Sequence, residues 1–201
     1  MFGVMLKDIK NVRGQLLYYA AVVAVFFAIG IILKNVYFYM GAIIFVAAVL
    51  PISALAYDEK DNWDKFALAS GVTRGQLVIA RYVLGIVAFV PFFGVGFLFF
   101  VMPALRNTET LSSLFVFGGI GLLAMSAALP TAFRLGVEKA RAAYTVILAC
   151  ALAFGIGISL LFARLGIASG LTAASVIFAL GIVGLLISVR ISEAIYRAKD
   201  F

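Results

Sequence analysis

Residues able to do chemistry are scarce in this chain, and they gather in one place. Of nine Asp and Glu among 201 residues, four (Asp58, Glu59, Asp61 and Asp64) fall in the run Y-D-E-K-D-N-W-D-K-F-A-L-A-S-G-V-T-R-G-Q-L-V-I-A-R-Y at 57–82. The same run holds the only Trp, Trp63, with Lys65 and Phe66 close behind it. The chain contains no His, which excludes a His-dependent triad, a zinc-protease pair and a haem His ligand. Its single Cys150 cannot form an intrachain disulfide. No Gly-Lys pair occurs, so there is no P-loop, and the chain is not expected to hydrolyse ATP itself. What remains is an aromatic pair framed by charge, a surface for binding more than a site for reaction.

The rest of the sequence must position that surface. The chain is 65% apolar and 12% charged, against about half and about a quarter in soluble domains. Six stretches carry no Asp, Glu, Lys or Arg at all: 16–33, 36–56, 83–105, 114–132, 143–163 and 171–189. They run from 18 to 23 residues, and a helix needs roughly 20 apolar residues to cross a bilayer. The longest internal piece between them, 57–82, has 26 residues, too few for the roughly 40 that a domain needs without staples. The expected fold is an all-α integral membrane protein of six transmembrane helices, a single domain over 1–201 embedded in the lipid bilayer.

Orientation follows from the basic residues, which favour the cytoplasmic side of short loops. Lys7, Lys10, Arg13, Lys60, Lys65, Arg74, Arg81, Arg134, Lys139, Arg141, Arg190, Arg197 and Lys199 fall on one side, and only Lys34, Arg106 and Arg164 on the other. That split of 13 to 3 places both termini in the cytoplasm. It accounts for the net charge of +7 without nucleic acid, and no nucleic-acid partner is expected. Because the six stretches hold no ionisable side chain that could carry a coupling ion or gating charge, ion-coupled transporters, proton pumps and voltage sensors are disfavoured.

At the start, Phe2, Met5, Leu6, Ile9 and Val12 recur at helical spacing. The pattern predicts a short amphipathic helix in the cytoplasmic interface, rather than a cleavable signal peptide, that turns into the bilayer at Gly14. Within 57–82, the acids predict the start of a short helix, where carboxylates satisfy exposed backbone donors. Trp63, Phe66 and Ala67 share one face of it, Ser70-Gly71 closes it, and Thr73 with Gln76 forms a capping box that opens the third span. The aromatic pair fits two roles, resting on lipid headgroups or docking into a partner protein, and the residues themselves do not choose.

Elsewhere the bland explanation prevails. Pro51, Pro91, Pro103 and Pro130 shape their helices. Ala151, Gly155 and Ser159, and Gly181 with Gly184, allow close helix approach within one chain or between two. Tyr18, Tyr19, Tyr37 and Tyr39 fit an interfacial belt. Phe92, Phe93 and Phe97, in a third span that also holds Phe89, Phe99 and Phe100, suit packing and lipid contact better than a cargo lining.

The run 52–82, from I-S-A-L-A-Y-D-E-K through V-T-R to A-R-Y, resembles the first cytoplasmic loop of the ATP-binding-cassette type-2 exporter permeases, and within them the small bacterial permeases that include the phenol-soluble-modulin exporters. The likeness rests on Met1, Phe2, Lys7 and Asp8 at the N-terminus, and on Asp58, Glu59, Trp63, Val72, Thr73 and Arg74. Gly71 departs from the proline common there. The resemblance implies a transmembrane subunit in the inner (cytoplasmic) membrane that pairs with a second permease copy as a homodimer. It also implies two separate ATPase subunits, which would bind ATP and Mg. Residues 57–70 would be the coupling helix, with Asp58, Glu59, Trp63, Lys65, Phe66 and Arg74 meeting the ATPase. The cargo would be an amphipathic peptide or another hydrophobic molecule. A non-transporting membrane scaffold or regulatory subunit is the alternative.

Overall fold

The computed structural model describes residues 2–166 and 170–199. Its elements are α1 (Phe2–Ile32), α2 (Tyr37–Lys60), α3 (Trp63–Ala69), α4 (Arg74–Gly96), α5 (Thr108–Leu135), α6 (Val137–Arg164) and α7 (Gly170–Arg197), with two 3-10 turns, Phe97–Val101 and Pro103–Leu105, after α4. Among the described residues there is no strand. Six of the helices are long and apolar enough to cross a membrane, and α3 alone is not. An apolar solvent leaves the backbone to satisfy its own polar groups, which is why the charge-free stretches are helical, although the third, 83–105, is α-helical only to Gly96 and continues in the two 3-10 turns.

Several boundaries differ from the expectation. The chain does not turn at Gly14: α1 runs unbroken from Phe2 to Ile32. A lone glycine weakens a helix by about 1 kcal/mol relative to alanine, too little to end one that continues on both sides. Met1 and the side chains of Phe2, Met5, Leu6, Ile9 and Val12, the proposed interfacial stripe, lie outside the described residues. Asp58 and Glu59 do not open α3 but end α2, and the break falls at Asn62, which has a left-handed backbone (φ 50°). Only Asp64 lies in the first turn of α3. No loop separates the fourth and fifth spans, because α5 and α6 meet at the single residue Gly136 (φ 83°).

α2 and α5 form the inside of the bundle, with 76% and 56% of their most apolar stretches buried, against 6% for α6. Lipid tails are as apolar as leucine, so helix association depends on close contact. The closest is between α5 and α7: a Cβ on Gly119 would stand 2.7 Å from the Ile177 carbonyl oxygen, and one on Gly181 would stand 2.8 Å from the Gly119 carbonyl oxygen. Gly155 likewise makes room for Ile120. Gly155 and Gly181 therefore serve contacts within the chain. Beside the α5–α7 crossing, the buried Tyr82 hydroxyl shares hydrogen bonds with Ser188 (2.5 Å) and Ser192 (2.7 Å), and Ser188 donates to the Ser126 carbonyl. The aromatic belt is smaller than expected. Tyr18 and Tyr37 are exposed, but Tyr19 and Tyr39 are buried, and the Tyr39 hydroxyl donates to the Phe92 carbonyl.

Candidate functional site

Helix alternation brings the first turns of α1, the end of α2, all of α3, the start of α4, the α5–α6 joint and the end of α7 to one end of the bundle, as contacts among them show. α3 is its most distinct element. Val72 N–H bonds the Ala67 carbonyl (3.0 Å) and Gly71 N–H bonds the Leu68 carbonyl (3.1 Å), with Gly71 at φ 86°. These are the two bonds of a Schellman closure. The Thr73 hydroxyl then accepts from Gln76 N–H (3.3 Å), while the Gln76 side chain accepts from Thr73 N–H (3.1 Å), completing the expected capping box. Thr73→Ala should therefore destabilise the start of α4 by about 1 kcal/mol, measurable as faster hydrogen exchange over its first turn. Native exchange there would show the cap to be idle.

The helical face read from sequence divides in two. Ala67 is buried and Trp63 half-buried, whereas Phe66 is 61% exposed, with Lys65 exposed beside it. The Trp63 and Phe66 rings touch, centroids 5.2 Å apart. The Lys7 ammonium lies 4.2 Å from the centre of the Trp63 ring, a cation–π contact.

Behind Trp63 sits a cluster that sequence reasoning missed. Arg81 forms ion pairs with both Asp8 and Asp58, through different guanidinium nitrogens. Lys7 bonds Asp58 at 2.5 Å and lies 3.3 Å from Asp8. The side chains of Arg81, Asp8 and Asp58 are each 2% exposed, and that of Lys7 is 19% exposed. Two acids and two bases from α1, α2 and α4 thus form a neutral group out of solvent. Burial is the largest influence on Lys7 and pulls its ammonium below the usual lysine value, with the Arg81 charge acting the same way and Asp8 and Asp64 opposing. An amphipathic helix in the interface would leave Lys7 and Asp8 facing solvent, whereas the cluster withdraws them from it. The available signal was Arg81 itself, an arginine set in the apolar run L-V-I-A-R-Y-V-L, since a charge in such surroundings needs a partner.

The expected partner-facing residues accordingly separate. Phe66 and Lys65 face outward. Asp58 is consumed by the cluster. Arg74 donates to the Arg197 carbonyl at the end of α7, where a cation suits the helix dipole. Glu59, poorly placed for a carboxylate at the C-terminus of its own helix, accepts from Val137 N–H at 3.1 and 3.2 Å and so caps α6 beside Gly136. The aromatic candidates of the third span are mostly packing. Phe93 stacks between Phe89 and Phe178 (both 5.3 Å) and fits over Gly118. Phe92 is partly buried, and Phe97 stands edge-on to Phe93 and Phe115. Among the described residues no His, Cys, Asp and Glu group could hold a metal.

Comparison with curated proteins and with solved structures gives no match. A family model does match, that of the ABC-2 family transporter protein, over residues 3–197. The match is to the family as a whole and does not single out the peptide-exporting branch that the loop resembles. It agrees with an all-α, multi-pass membrane chain, and membership implies partnership with an ATP-binding component in general. With six spanning-capable helices and nearly its whole length matched, the chain belongs to the ABC-2 transporter family, as a membrane-spanning transporter component.

Proposed function

We propose that this chain is the permease subunit of an ATP-driven exporter in the inner (cytoplasmic) membrane, with α3 as the element that meets the ATPase at the cytoplasmic end. The observation that carries the reading is Phe66: a large aromatic ring, exposed on a short helix that a Schellman turn closes, outside the spans and beside Lys65. Aromatic anchors of this kind dominate protein interfaces. Hydrolysis, with ATP and Mg, belongs to the partner subunit. The cargo, an amphipathic peptide or other hydrophobic molecule, passes between two copies of the permease, because Phe93 is taken up in packing within one chain and Phe97 stands exposed on its outside.

Affinity purification of the tagged chain from its native membrane tests this. A P-loop ATPase should co-purify, and Phe66→Asp should weaken its retention by roughly 30-fold or more, the loss typical of a central anchor, while leaving membrane insertion intact. Undiminished recovery with Phe66→Asp would refute docking through α3. A chain that inserts properly and brings down no ATPase would favour the scaffold alternative.

A further inference from the structure

α3 has only seven residues, far below the length at which an isolated helix holds its shape in water. It is joined to its neighbours through two left-handed residues, Asn62 and Gly71. Its place is therefore set by what it touches. Ala67 is buried, Asp64 bonds Tyr196 of α7, and Trp63 lies under Lys7. Lys7 is the member of the ionic cluster that stands over the Trp63 ring of α3. Moving any one of α1, α2 or α4 away from the others breaks two of the ion pairs that cross between helices, in a poorly screening medium, which is steeply unfavourable. The three helix ends consequently move as one body.

We infer that Lys7 is a positioning residue for α3, acting through Trp63, and that the cluster behind it ties the seat of α3 to the first turns of α1 and to the buried start of α4. Trp63 and Phe66 then have separate tasks. Phe66 presents a surface, and Trp63 passes displacement of α3 into the bundle. The functional meaning rests on the proposed coupling role, whereas the linkage is a property of the chain alone.

Hydrogen exchange on the purified full chain in lipid nanodiscs, without any partner, tests the linkage. Lys7→Met and Trp63→Leu should each speed exchange of the α3 amides by roughly 5- to 30-fold, the range of a cation–ring contact, and the double variant should exchange no faster than the faster single. Trp63→Leu should also speed exchange in the first turns of α1. Lys7→Arg, which keeps a cation over the ring, should restore native rates, as a mere space-filling role for the lysine stem would not require. Additive single effects, native α3 rates in Lys7→Met, or an effect of Trp63→Leu confined to α3 would overturn the inference. Lys7→Met also leaves Asp8 and Asp58 facing Arg81 alone, so Trp63→Leu, which changes no charge of the cluster, keeps the test readable even where Lys7→Met fails to fold. Coupled exchange with no ATPase recovered would refute the proposed function and leave the linkage standing. Additive exchange with the ATPase bound through Phe66 would do the reverse.

Discussion

Arg81→Met is expected to destabilise the folded chain by roughly 3–5 kcal/mol, the usual effect of removing one partner from a buried ion pair. Methionine replaces the stem of the arginine, but Asp8 and Asp58 would then face Lys7 alone, two negative charges against one positive, with both carboxylates 2% exposed. Combining Arg81→Met with Asp8→Asn leaves Lys7 and Asp58 as a balanced pair. The double variant should therefore be more stable than Arg81→Met alone, although it carries one more substitution. Thermal denaturation of the detergent-solubilised protein, read as the fraction surviving on size exclusion, orders the two. If the double variant melts as low as the single, charge imbalance is not the cause and the packing of the guanidinium is.

Gly119→Leu should be comparably severe for a different reason. The obstacles to a Cβ at Gly119 are the carbonyl carbon and oxygen of Ile177 and the Cα of Phe178, all within 2.8 Å. These are backbone atoms, so no rotamer change relieves the clash, and α5 and α7 must separate. Overpacking costs typically 1–3 kcal/mol, and this crossing belongs at the upper end or above it, because Gly181 meets the Gly119 backbone in turn. Gly157→Ala on α6 is the control. Nothing lies within 4 Å of its Cβ position, and stability should stay within about 1 kcal/mol of native. The same melting measurement reads both. A Gly119→Leu protein as stable as Gly157→Ala would mean that the α5–α7 crossing is not close in the membrane.

The spans were legible because a bilayer imposes one simple rule, and the six charge-free stretches obey it. The local chemistry of 70–76 was legible too: glycine at a left-handed position and Thr73 three residues before Gln76 act through neighbours in the chain. What could not be read were pairings set by tertiary position. Asp8, Asp58 and Arg81 are separated by 50 and 23 residues, and although Arg81 in its apolar run calls for a partner, nothing local says that Asp8 and Asp58 supply it. Counting Arg81 toward orientation was compatible with its being buried, which is why the count gave no warning. Glu59 was invisible for the same reason, since its partner is the backbone of Val137. The face of α3 was half legible. Period places Trp63, Phe66 and Ala67 together, but only tertiary packing, with Trp63 set against the core and under Lys7, decides that Trp63 turns inward while Phe66 does not.

Trp63 is the only tryptophan in the chain, so the tryptophan emission of the unmodified protein, excited selectively beyond the tyrosine absorption, comes from α3 alone. One face of its indole lies 4.2 Å from an ammonium, and its neighbour Phe66 stands open at the surface. Emission wavelength and quenching will therefore register whether Lys7 is in place and whether a partner has covered the adjoining ring. With an ATPase whose own tryptophans have been replaced, rapid mixing with nucleotide will give the time course of α3 with no dye attached.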